Sequence, residues 1–135
     1  MEQVLSSIDK YIGAPYKLNS YDGKSFDCFS LVWYIYKDNG IILDKHFVRN
    51  SLRTIAKEIS IREQQWVPIN FTERKFLDLV LFRTSKHLLT HVGIIITPEF
   101  FIHTTEDTNA VLSRFTKSVY SALMAKVYRW HTQLT

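Results

Sequence analysis

The sequence of 135 residues holds a single cysteine, Cys28. No internal disulfide can form, and nothing in the fold needs an oxidising compartment. With 4 glycines and 3 prolines there is no Pro/Gly/Ser-rich linker, and no low-complexity stretch or internal repeat is visible. One domain spanning residues 1–135 is expected. No apolar run reaches membrane-spanning length, so no membrane span is expected. The N-terminus, Met-Glu-Gln-Val-Leu-Ser-Ser-Ile-Asp-Lys, lacks a basic region followed by an apolar core. The expectation is therefore a chain made in the cytoplasm without a signal peptide. Charge of one sign is also sparse. The 17 basic residues outnumber the 13 acidic ones, for a net charge of +4. Yet Arg49, Arg53, Lys57, Arg62, Arg74, Lys75, Arg83, Lys86, Arg114 and Lys117 are scattered, with no basic tract. They read as a solvated surface and not as a nucleic-acid interface.

What is present is an ordinary globular composition, 46% hydrophobic and 22% charged. Residues 2–12 read as a helix ended by Gly13, with Val4, Leu5, Ile8, Tyr11 and Ile12 on one face. Residues 14–26 form a loop. A second helix runs from about Asp27 to Asn39, ended by Gly40, with Cys28, Leu31, Val32, Ile35 and Tyr36 in one stripe. Residues 50–63 give a third, weaker helix. The apolar period then changes to two. Residues 78–83, 91–96 and 100–103 read as strands, with 110–112 as a further short one. Residues 116–126 read as a short helix and 127–131 as a last strand. Helices first and strands later predict an α+β class with a mostly antiparallel sheet. Trp33, Trp66 and Trp130 read as core or groove-lining aromatics.

Cys28 opens its helix, where backbone N–H groups and the helix dipole favour a thiolate. His91 and His103 follow far downstream in strand segments. A lone cysteine with distant histidines outlines a nucleophile, its base and an orienting group. Register decides whether the two histidines meet. If Pro98 and Glu99 alone form the turn, residue 94 faces 103 and the histidines point to opposite faces. If the loop is Thr97-Pro98-Glu99, residue 93 faces 103. His91 and His103 then share a face, one diagonal apart. The catalytic reading predicts this longer loop or a bulge. Asp27 reads as a helix cap. His46, His87 and His131 read as surface or structural, with His87 the one rival base. A zinc site on Cys28, His91 and His103 lacks close ligand pairs and an evident fourth ligand, so no metal or cofactor is read here.

The ordered pieces carry a family resemblance. Tyr16 lies in Gly-Ala-Pro-Tyr-Lys-Leu, and Asp27-Cys28 opens a helix that ends in Asn-Gly-Ile. Asp-Leu-Val-Leu-Phe, His-Val-Gly-Ile and a return strand with Phe-Ile-His follow. From about residue 5 to residue 131 this order resembles the NlpC family of papain-like bacterial cell-wall cysteine peptidases. The resemblance implies a papain-like fold, with N-terminal helices on a five- to six-stranded sheet and the nucleophile at a helix N-terminus. It implies Cys28 as nucleophile, His91 as general base, His103 as the residue that holds the imidazole, and Tyr16 over the thiol. It implies peptidoglycan stem peptides as substrate, cut next to D-glutamate and diaminopimelate or lysine. The chain departs from the common Asp-Cys-Ser-Gly-Leu by reading Asp-Cys-Phe-Ser-Leu, with Ser30 in the glycine position. The aromatic after the cysteine also resembles a phage-tail-associated subgroup that reads Asp-Cys-Trp-Gly-Leu. Delivery to the wall or periplasm by phage-tail or secretion-apparatus proteins is the matching expectation, with recycling of wall fragments in the cytoplasm beside it. Two alternatives stand next to the peptidase. One is an acyltransferase or amidase using the same triad on another substrate. The other is a non-catalytic module that binds an anionic polymer.

Overall fold

The computed structural model describes residues 7–44, 49, 51–84, 89–116 and 119–131. Helix α1 (Cys28–Asp38) begins where Asp27 caps it. One Asp27 carboxylate oxygen accepts from Phe29 N at 2.9 Å and Ser30 N at 2.8 Å, and Asp27 N donates to Ser30 Oγ at 2.9 Å. This reciprocal box satisfies amide groups that a helix start otherwise leaves unpaired. Gly40, at φ 82°, turns the chain away after the last turn. Helix α2 (Leu52–Arg62) starts with the same device, built from Ser51 and Thr54.

Six strands follow: β1 (Trp66–Pro68), β2 (Leu79–Phe82), β3 (His91–Ile95), β4 (Phe100–Thr105), β5 (Asn109–Arg114) and β6 (Met124–Trp130). They form one antiparallel sheet in the order β1-β6-β2-β3-β4-β5. This is the expected α+β class. Helix α1 packs on β3 and β4. Leu31, Val32, Ile35 and Tyr36 meet Leu79, Leu81, Val92, Ile94 and Ile102 in the larger core cluster. The alternate strand residues Val80, Phe82, Ile95 and Phe101 build a second cluster with Phe115 and Val127 on the opposite face. Burial on both faces explains why β2 and β3 read as unbroken apolar runs in place of a polar alternation.

Several expectations change. Of the first helix, expected over 2–12, residues 2–6 lie outside the described residues, residues 7–8 are helical as expected, and Asp9–Tyr11 tightens into a 3₁₀ turn. The expected helix over 116–126 is instead a 3₁₀ turn, Val119–Ala122, and β6 already begins at Met124. The pairing of Met124 with Phe82 and of Lys126 with Leu81 takes this segment into the sheet. Tertiary pairing overrides the local helical pattern there. Strand β1 is unheralded in the sequence because it spans only three residues and ends in a proline. The fifth strand is longer than expected, since Asn109–Arg114 pairs along all of Phe100–Thr105.

Candidate active site

The hairpin between β3 and β4 has the longer of the two loops. Ile94 pairs with Ile102 and Ile95 with Phe101. Ile96 N donates to Phe100 O at 3.0 Å, which leaves Thr97-Pro98-Glu99 as the turn. Thr97 Oγ1 steadies it by accepting from Phe100 N at 3.2 Å. This register puts His91 and His103 on one face. Their rings meet, with His91 Nε2 and His103 Nδ1 2.8 Å apart. His103 Nε2 then lies 2.9 Å from Ser113 Oγ on β5. Gly93, opposite His103, makes the approach possible. A Cβ there would lie 2.8 Å from Phe101 Cδ2 and 3.4 Å from His103 Cβ. Phe82 flanks His91, and Phe101 and Tyr120 flank His103, with the Tyr120 ring edge-on at 4.5 Å. The pair is therefore walled by aromatic rings and held in one orientation.

Cys28 approaches from the side of α1. The β3–β4 pairing runs only to Ile94, and past it the Val92 N–H lies close enough to act on the Cys28 sulfur electrostatically. The thiol thus lies near the backbone of the residue next to His91. Among the described residues, no direct hydrogen bond joins Cys28 to His91. Burial pushes the thiol up to about 12, and the neighbouring Asp27 charge adds to this. The Val92 N–H and the Arg49 charge pull the other way and are outweighed. The expectation of a resting thiolate is therefore corrected: desolvation beats the helix terminus. Burial likewise lowers His91 to about 3, helped by His103, and lowers His103 to about 4. The resting groups are a neutral thiol and neutral imidazoles.

Both histidines make the fold acid-sensitive. An unfolded histidine titrates near 6.5, and the folded ones far below. Between those values the unfolded chain binds more protons, so stability is whole above about pH 6.5 and falls as pH drops. At pH 5 the loss is about 2 kcal/mol for each histidine. Urea midpoints at pH 7 and pH 5 measure it. The His103→Gln variant should show roughly half the difference.

Tyr16 is placed by the chain before α1. Residues 13–14 pair with Ala110 at the edge of β5, and Tyr16 bridges to Phe26, two residues before Cys28. Its phenol is pushed up to about 12, by burial first and then by Cys28 and Asp27, so it lies within electrostatic reach of the thiol. His46 and His87 fall outside the described residues. His131 lies far off on Trp130, and its Nδ1 meets Gln65 O.

The surface reading of Arg49 is corrected. Its side chain is 1% exposed and lies behind the nucleophile. Arg49 Nη1 reaches the second Asp27 oxygen at 2.9 Å, beside Asn19 N at 2.7 Å. Its Nε and Nη2 fork onto Glu58 at 2.7 and 3.1 Å, and Arg62 closes on Glu58 from the other side. Asn19 clamps the Arg49 backbone through both its N–H and its carbonyl. Two guanidinium groups thus balance two buried carboxylates. Every Asp27 oxygen is engaged, which fits a cap and not a catalytic acid. Ser113, Arg49 and Asn19 are the residues that the sequence reading missed. Extending the fifth strand by one residue would have put Ser113 on the face of His103.

Comparisons with known proteins agree with this layout. Among curated proteins none matches the chain. Among solved structures, an NlpC/P60 family protein from Bacillus cereus ATCC 10987 superposes with a TM-score of 0.72 at 20% identity, over 96% of this chain and 39% of its own. This chain thus spans about two-fifths of that relative's length. The NlpC/p60 domain of the peptidoglycan hydrolase SagA gives 0.63 at 21% identity, over 93% of this chain and 95% of its own. The peptidoglycan hydrolase RipB of Mycobacterium tuberculosis gives 0.61 at 17%, over 95% of this chain and 63% of its own. At these identities the likeness concerns the fold. The NlpC/P60 family model matches residues 13–130, nearly the whole sequence, and the chain belongs to the NlpC/P60 family.

Proposed function

We propose that this chain is a cysteine peptidase that cleaves amide bonds in peptidoglycan stem peptides. Cys28 is the nucleophile, His91 the general base and His103 the group that holds the His91 imidazole. The observation that carries the reading is the 2.8 Å bond between the two buried histidines, on the strands against which the helix opened by the single cysteine packs. The peptidoglycan hydrolases SagA and RipB, which share the fold, support the choice of substrate.

Because His91 Nε2 is taken by His103, its Nδ1 is the atom left to receive a proton. Substrate binding brings the thiol to this atom, as resting sites often tighten only in the complex. The thiol proton moves to His91 Nδ1 while sulfur bonds to the substrate carbonyl carbon. The negative charge on the carbonyl oxygen is met by the Cys28 backbone N–H at the start of α1. Collapse breaks the C–N bond, and the leaving amine takes the proton from His91. Water, deprotonated by the same nitrogen, then hydrolyses the thioester and restores the thiol. Tyr16 lies over the reacting bond and positions it.

The test is digestion of defined stem peptides, containing either diaminopimelate or lysine, followed by mass analysis of the products. One new amine and one new carboxylate at a single bond are expected. Recovery of both peptides intact at high enzyme concentration would refute the substrate assignment.

A further inference from the structure

We infer that Ser113 is a positioning residue that fixes the tautomers of the histidine pair, as an acceptor behind His103. The inference rests on the proposed roles of Cys28 and His91 and extends them by one link. Ser113 Oγ, His103 and His91 form an unbroken line, with 2.9 Å at the first contact and 2.8 Å at the second.

Protons can be arranged along this line in two ways. In the first, Ser113 donates to His103 Nε2 and His103 Nδ1–H donates to His91 Nε2. His91 must then carry its own proton on Nδ1, and no base faces the thiol. In the second, His91 Nε2–H donates to His103 Nδ1, and His103 Nε2–H donates to Ser113 Oγ. His91 Nδ1 is then a free lone pair. Exposure separates the two. His103 is 1% exposed and has no water to turn to, whereas Ser113 is half-buried on the edge strand β5. Water can accept a hydrogen bond from the Ser113 hydroxyl, which leaves a lone pair on its oxygen to accept from His103. The aromatic walls keep the His103 ring from rotating away: Phe101 stands at 4.8 Å and Tyr120 at 4.5 Å. Ser113 therefore selects the arrangement in which His91 is a base.

The test compares wild type, Ser113→Ala and Ser113→Thr by 15N NMR of histidine-labelled, substrate-free protein at pH 7, and by turnover of a stem peptide. The wild type should show His103 protonated on Nε2 and His91 on Nε2, each as a single tautomer. Ser113→Ala should show mixed tautomers. Its kcat should fall roughly 10-fold, the worth of one buried hydrogen bond, with KM little changed. Ser113→Thr keeps the hydroxyl and should restore both readouts. The inference is overturned if the wild type carries the opposite tautomers, or if Ser113→Ala leaves them unchanged. The NMR result stands whether or not the peptide is cleaved, so it separates this inference from the substrate assignment.

Discussion

Arg49→Met should lower unfolding free energy by about 3–5 kcal/mol, the usual result of stripping one partner from a buried ionic cluster. For a domain of this size that is a fall in Tm of roughly 10–20 °C. The reason is local. Asp27 and Glu58 are 1% and 0% exposed, and Arg49 is bound to both. Glu58 keeps Arg62. The Asp27 carboxylate keeps only backbone amide partners, so its charge remains buried without a counter-ion. Arg49→Lys should recover only part of the loss, because one ammonium cannot fork onto Glu58 while also reaching Asp27 and Tyr21. Thermal melts of the two variants and wild type at pH 7 check this. A fall of less than about 1 kcal/mol for Arg49→Met, the range of an exposed pair, would contradict the arrangement.

Cys28→Ala should abolish cleavage of stem peptides, with a loss of at least about 1,000-fold, as removal of a covalent nucleophile does in other acyl-transfer sites. The fold should survive, since alanine suits a helix start and the side chain lost is small. His91→Ala should come close to the same loss, because nucleophile and base act as a unit. The two defects should not add in the double variant. The neutral resting state sharpens this expectation. Burial holds Cys28 as a thiol, so no preformed thiolate is available to sustain reaction without the base. Activity in His91→Ala above about one-tenth of wild type would show that the sulfur does not depend on this imidazole.

Much of this was legible in the sequence. The stripe through Cys28, Leu31, Val32, Ile35 and Tyr36 and the cap at Asp27 located α1 to within a residue. Period-two geometry reduced the meeting of His91 with His103 to the length of one turn, which the catalytic reading put at three residues and the structure bears out. Other features depended on distance in space. Arg49 looks like any scattered basic residue, because the carboxylates that bury it are 22 and 9 positions away. Met124–Lys126 sits in a helical-looking stretch and becomes strand only because β2 is there to pair with it. The protonation of Cys28 could not be read from its helix position. A helix terminus and burial act in opposite directions, and only the fold tells how dry the site is.

The most direct measurement is covalent labelling of the folded protein by a stem-peptide chloromethyl ketone, with the adduct mapped by mass spectrometry in wild type and His91→Ala. The proposed chemistry gives one adduct, on Cys28, slowed by excess stem peptide and slowed strongly again by His91→Ala. Labelling that needs denaturation, or that proceeds at the same rate without His91, would contradict it.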